Sequence, residues 1–399
     1  MSVRLFVTVG LGATCLVGAG TAAHGAVSTC ARAESNLGAQ VRAARASLIR
    51  IPVGDLDTRV TPAAQAAIEA LKDRIVAFVT GTLACIEPNA EPANVQRLLA
   101  ARGDAFEDRV HHDLATYPNL HGNGLAYEVA RPHRQPALLV VVARLAIECG
   151  DDAVLILFER TRSGWRPLII RRSAPYREIS GAYGYFRYAV SAPDRHGRWY
   201  LATGRVPPWC TSNWRSVQYD LSRAGPTPER PRIFFSRLVG TYIGNDEGAG
   251  EIRAGPNLFQ VRHDGGIANS DILVRRHVET YAVHGDIVTR IQPAALGARD
   301  FADEWVASDW SEASSWSVPD AMIREAHRQL HAPLPGSYSP LGPAHHCPSG
   351  LLQVRFGEVG ETWYLFVRGD GPFRVVRATR TPLRSCGGPD LNGDVIYTR

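Results

Sequence analysis

Residues 138–170 read LLVVVARLAIECGDDAVLILFERTRSGWRPLII, and the three apolar runs inside them decide the fold. Leu138–Val142, Val154–Phe158 and Leu168–Ile170 are short, apolar and rich in β-branched residues, and Gly, Asp and Ser separate them. Runs of this length bounded by turn formers predict strands. The turn at Arg162, Ser163 and Gly164 closes one hairpin. No helical spacing intervenes, so the strands follow one another as antiparallel neighbours and not through helical crossovers.

The same texture continues toward the C-terminus. Strands are expected at Tyr185–Val190, Trp199–Ala202, Val217–Leu221, Ile233–Val239, Leu258–Val261, Ile272–Val274 and Val278–Val283. The last of these pairs with Ile287–Ile291 across a His284, Gly285, Asp286 turn. Closely spaced strands of this kind imply antiparallel meanders in a sandwich, a barrel or propeller-like blades.

Upstream the period changes to that of a helix. Thr61 stands as N-cap with Pro62 at the first helical position, and Ile68, Leu71, Ile75, Phe78 and Val79 recur at three and four residues. Further helices are expected over Glu34–Ile49 and from Asn94 toward Phe106 and Val110. Amphipathic helices need a surface to bury their apolar faces, so these should pack on each other or on the sheet that follows. Helical spacing returns between Arg299 and Leu330, before strands at Leu351–Phe356, Trp363–Val367 and Phe373–Arg377.

The fold class is therefore α+β: a helical N-terminal module (26–118), an antiparallel β domain (119–292) and a mixed α/β C-terminal part (293–399). One internal echo joins the ends. Leu155–Phe158 with Gly164, Trp165, Arg166 and Pro175 resembles Tyr364–Val367 with Gly371, Phe373, Arg374 and Pro382.

Residues 1–25 have the layout of a secretory signal peptide: Arg4, an apolar run from Leu5 to Gly20, then the small residues Thr21, Ala22 and Ala23, with cleavage expected near 23–26. The run is too short and too glycine-rich to span a bilayer comfortably, which takes about 20 apolar residues, and no later stretch is long and apolar enough. No transmembrane segment is expected after cleavage. Acylation of Cys30 would make a lipoprotein, but Thr29 is a poor residue to precede an acylated cysteine. Of seven cysteines, Cys15 lies in the leader, leaving Cys30, Cys85, Cys149, Cys210, Cys347 and Cys386. An even number without any Cys-x-x-Cys suits disulfides in an oxidising compartment such as the periplasm. Pairing neighbours gives Cys30 with Cys85, Cys149 with Cys210 and Cys347 with Cys386.

Composition narrows the function classes. The formal charge of +5 is small and spread along the chain, without a basic run interleaved with aromatics, so no nucleic-acid partner is expected. Lys72 is the only lysine, and its neighbours Leu71 and Asp73 fit neither a phosphate-binding loop nor a Schiff-base site.

The remaining constellations are weak. His111, His112, Asp113 and His121, with His133 further on, form the densest histidine cluster, and imidazoles both ligate metals and titrate near neutrality. Neighbours on a helix point about 100° apart, however, so His111 and His112 do not easily share one ion. His327 and His331 have metal-ligand spacing, but Arg328 stands where a zinc protease needs glutamate; His345 and His346 are conceivable further ligands. Asp390, Asn392, Gly393 and Asp394 resemble the opening of a calcium loop without its later acidic ligand. Trp209, Trp214 and Arg215, in a segment held by Cys210, form a ligand-binding candidate, since tryptophan beside polar groups suits sugar or peptide recognition. Trp305, Trp310 and Trp316 read as core. The expectation is a non-enzymatic exported envelope protein that binds an unknown ligand or envelope partner, with no cofactor and no metal. The alternative is a hydrolase built on the 111–121 cluster.

Overall fold

The computed structural model describes residues 20–51, 61–103, 121–122, 124–147, 150–162, 164–172, 185–206, 214–242, 251–267, 270–331, 341–357, 362–369, 372–388 and 397–398. Three helices come first: α1 (Gly20–Ile49), α2 (Pro62–Ala84) and α3 (Pro92–Gly103). Helix α1 begins well before the expected Glu34, because the residues ahead of it carry no Pro and continue helix-compatible spacing. Helix α2 starts as its sequence dictates: Thr61 Oγ1 accepts the Ala64 backbone N–H at 3.2 Å, and Pro62 follows where its missing N–H costs nothing.

Strands β1 (Ala126–Ala130), β2 (Leu138–Ile147), β3 (Gly150–Thr161) and β4 (Gly164–Arg172) form the first sheet as an antiparallel meander. Strand β2 is buried along nearly its whole length, and its alternate side chains go to two different cores. Leu139, Val141, Ala143 and Leu145 meet Leu48, Leu71, Ile75, Phe78 and Leu99 of the helices. Leu138, Val140 and Val142 join Leu155, Leu157 and Ile169 against Phe186 and Leu201 of the next sheet. A continuous apolar run is what a strand covered on both faces requires, and each such side chain contributes about 1.5–3 kcal/mol on burial. The β3–β4 turn needs glycine: Gly164 has φ 135°, and a Cβ there would sit 3.2 Å from the Ala84 carbonyl at the end of α2.

The second sheet is the meander β5 (Tyr185–Val190), β6 (Leu201–Val206), β7 (Trp214–Arg223) and β8 (Arg232–Tyr242). Its far face, through Tyr200, Ala202, Val217, Tyr219 and Leu221, packs on Phe259, Val261, Tyr281 and Val283 of the third sheet. That sheet orders β12 (Ile287–Gln292), β11 (Ser270–His284), β10 (Leu258–Ile267) and β9 (Glu251–Ala254), with β17 (Tyr397–Thr398) beside β11. The two strands expected at Ile272–Val274 and Val278–Val283 are one. β11 runs through Arg275, Arg276 and His277 because β10 pairs with it residue by residue from Val274 to Ala282.

Helices α4 (Ala298–Ala307), α5 (Trp310–Ala313) and α6 (Ala321–Leu330) precede the fourth sheet: β13 (Leu341–His346), β14 (Leu352–Phe356), β15 (Trp363–Arg368) and β16 (Arg374–Thr379). Phe301, Trp305, Ile323 and Ala326 cover one face, built from Val354, Phe356, Trp363, Leu365, Val367 and Val375. The described residues thus give three helices and a four-strand meander at each end, and the echoing hairpins are the third and fourth strands of each unit. Cys347 and Cys386 form the expected disulfide, and Cys85 is disulfide-bonded as well. The side chains of Cys30, Cys149 and Cys210 lie outside the described residues, as does the start of the leader. Among the described residues no helix is long and apolar enough to cross a membrane.

Candidate functional site

Strands β1, β5 and β9 are each the terminal strand of their sheet, and they meet along one seam. Stacking three twisted sheets leaves a gap where edges diverge, and here it is a cleft of about 610 Å³. Its walls carry Glu128, Arg131, His133, Arg134, Arg144, Arg187 and Tyr188, with small apolar groups such as Ala130, Ala192 and Ala254 between them.

The back wall is rigid. Arg144 Nη2 donates to the Phe186 carbonyl at 2.9 Å and stands 3.7 Å from Glu128 Oε2. Tyr188 donates its hydroxyl to Glu128 Oε1 at 3.2 Å. Burial, with the Glu128 carboxylate beside it, pushes the Tyr188 phenol well above its ordinary value, so it stays a donor. Arg131 Nη2 donates to the Ala90 carbonyl at 2.8 Å and its guanidinium lies 5.7 Å from the centre of the Trp165 ring. Gln135 Nε2 donates to the Ser191 carbonyl at 3.2 Å, pinning the β1–β2 turn against the segment after β5.

The mouth is different. His133 and Arg134 are exposed on the turn closed by the Gln135 N–H to the Pro132 carbonyl at 3.1 Å. Arg134 has φ 71°, the one non-glycine residue with positive φ among the described residues. Glycine is the ordinary occupant of such a turn position, and a side chain there costs about 1–2 kcal/mol. Strain kept at a cleft mouth, on a residue whose side chain lines that cleft, is the kind of outlier that marks function. The lining carries four guanidiniums and one carboxylate. Its lining holds hydrogen-bond donors in abundance and, among the described residues, no serine, threonine or cysteine.

Trp209 lies outside the described residues, as do His111, His112, Asp113 and the Asp390–Asp394 loop. Trp214 and Arg215 open β7, paired in register with Tyr242 and Thr241, and their side chains are not described. His121 is buried, and burial lowers its pKa. Among the described residues of that group, His133 reaches the cleft.

His327 and His331 close a helix end. His327 Nε2 meets the Ser308 carbonyl at 2.9 Å and His331 Nδ1 the Val306 carbonyl at 2.8 Å, so both rings satisfy carbonyls left free where α4 stops. His345 Nδ1 bonds the Gly388 carbonyl at 3.0 Å. No cluster of three His, Cys, Asp or Glu side chains suited to a metal occurs among the described residues. Trp305 and Trp316 are core, as expected; Trp305 Nε1 donates to Ser317 Oγ at 2.9 Å.

A second polar cluster lies between the second and third sheets. Tyr219 and Tyr281 both donate to Glu279 Oε2, while Arg237 Nε and His263 Nε2 lie 3.5 and 3.7 Å from that carboxylate. Burial alone would raise the Glu279 carboxyl, but His263, Arg237 and Arg290 hold it well below the usual carboxylate range. Glu279 is almost wholly buried, so this network fastens the sandwich and offers no opening to a ligand.

The cleft was hidden from sequence reading because its walls come from β1, β2, β5, β9 and the segments after β1, β5 and β9, which lie far apart in the chain. No protein-family model matches the chain, and comparison with curated proteins finds no match.

Proposed function

We propose that this is an exported protein of the cell envelope that binds an acidic ligand, without transforming it, in the cleft between the edges of the first three sheets. The observation that carries the reading is the convergence of Arg131, Arg134, Arg144 and Arg187 on one cavity beside a single carboxylate, Glu128. A permanent surplus of positive charge around a concave surface focuses anions into it. Export is supported by the signal-like residues 1–25 and by the Cys347–Cys386 disulfide, which persists in an oxidising compartment.

Two measurements test this reading. Mass spectrometry of protein recovered from the envelope should find an N-terminus near residues 23–26; an intact leader on cytosolic protein overturns export. A thermal-shift panel of neutral, cationic and anionic small molecules should give shifts with anions, and Ala192→Trp, which fills the cleft from a loop position, should abolish them. Shifts that survive Ala192→Trp but vanish in Trp209→Ala or Trp214→Ala would place the ligand at that aromatic segment instead.

A further inference from the structure

Resting on that reading of the cleft, we propose that its ligand carries a phosphate-type group with two negative charges, and that Arg134 is the residue that selects for it. The four guanidiniums of the lining do not play the same part. Arg131 and Arg144 are held by the carbonyls of Ala90 and Phe186, so they form fixed positive walls. Arg134 sits at the mouth, exposed, on a backbone turned to φ 71°. A glycine would make this turn without strain, and the chain instead places a guanidinium there. His133 stands next to it on the same turn, and Arg187 of β5 lines the same cleft.

Charge sets the ligand class. A single carboxylate would neutralise one guanidinium and leave the surplus of the lining standing. A phosphate monoester brings two charges and three acceptor oxygens, which several guanidinium forks can share. Glu128 does not cancel this preference: it already accepts from Tyr188 and lies beside Arg144. The same group occurs free in small solutes and on lipid headgroups, so the chemistry is shared and the source is a matter for measurement.

The experiment uses the full-length mature protein. Calorimetric titrations with inorganic phosphate, glycerol phosphate and acetate at pH 7.5 are set beside sedimentation with phosphatidylcholine vesicles with and without phosphatidic acid. The expected result is binding of the phosphate probes about tenfold tighter than acetate, weakening as salt is added. Arg134→Gly should loosen phosphate by about tenfold while raising the melting temperature, because it relieves the left-handed residue. Loss of binding in a variant that melts higher cannot be a failure to fold. Arg134→Lys should recover part of the affinity. Binding of the soluble probes identifies a solute ligand, and binding of phosphatidic acid vesicles alone identifies a headgroup; both support the assignment. Binding of neither probe, acetate as tight as phosphate, or an Arg134→Gly variant with undiminished phosphate affinity would overturn it. The general reading of the cleft would still stand or fall by the Ala192→Trp variant.

Discussion

The two ends of the molecule repeat one order of elements, three helices then a four-strand meander, yet they bury their sheets differently. The first sheet is covered on both faces, by α1–α3 and by the second sheet, and the middles of its central strands, Leu138–Ala143 of β2 and Ala153–Phe158 of β3, are apolar without interruption. Among the described residues, helices cover one face of the fourth sheet. On its other face Arg377 lies over the Phe366 ring at 5.4 Å, and Gln353 Oε1 accepts the Leu383 N–H at 2.7 Å in the segment that leads to Cys386. One sheet is held by a second apolar layer, the other by polar bonds and a covalent clasp. The difference also explains the cleft. Only a sheet stacked on another sheet has a neighbouring edge from which to diverge, so a cleft of this kind forms beside β1 at the N-terminal end.

The comparison breaks first at the polar pair inside the N-terminal unit. Lys72 on α2 and Asp152 on β3 are both fully buried, with Nζ and Oδ2 3.2 Å apart. Lys72 Nζ also meets the half-exposed Glu69 carboxylate at 2.5 Å, and removing the lysine takes this cation away from the buried Asp152 carboxylate. Lys72→Met should therefore cost about 3–5 kcal/mol in urea unfolding. Pairing it with Asp152→Leu should recover most of that loss, since an apolar pair of similar volume removes both desolvation penalties. A single variant as stable as the parent would mean that the pair is open to solvent.

The next largest effect belongs to the other end. Cys347 and Cys386 are 39 residues apart, and opening a loop of that length costs about 2–4 kcal/mol in the chain-entropy description. Replacing both by serine should raise amide exchange in β13–β16 and leave protection in β2 and β3 as it was. Equal loss of protection in both sheets would show that the two units unfold as one and that the contrast in burial has no energetic consequence.

The same contrast governs what could be read from sequence. Strands β2 and β3 were legible because two-sided burial demands an uninterrupted apolar run, and α2 because Thr61 and Pro62 mark its start. Strands β1, β9 and β13 were not. AYEVA, EIRA and LGPAHH hold no apolar run, and short edge strands owe their existence to a neighbour's hydrogen bonds more than to their own residues. Two of those three line the cleft or lie at its rim, so the site was illegible for the same reason as its walls. His133 was noticed as a histidine. Its place in the cleft depends on the β1–β2 turn meeting β5 of another sheet, which does not follow from spacing along the chain.

The smallest expected effect is one the two ends share. Each holds a buried histidine whose pKa is lowered: His121 by burial, and His327 by burial together with the charge of His331, against the opposing pull of the Ser308 carbonyl and Asp309. A histidine whose folded pKa lies below its unfolded value of about 6.5 favours the neutral ring in the native state. The stability it contributes is complete above that unfolded value and is lost as pH falls through the folded one. Urea melts should therefore show lower stability at pH 5.5 than at pH 7.5, with both rings contributing in the same direction. His327→Gln should flatten the part of the slope seen by exchange in α4 and α6, whereas His121→Gln should flatten the part seen in β2. A slope that both substitutions leave intact would have to come from other groups, because proton uptake by these two rings is what sets its sign.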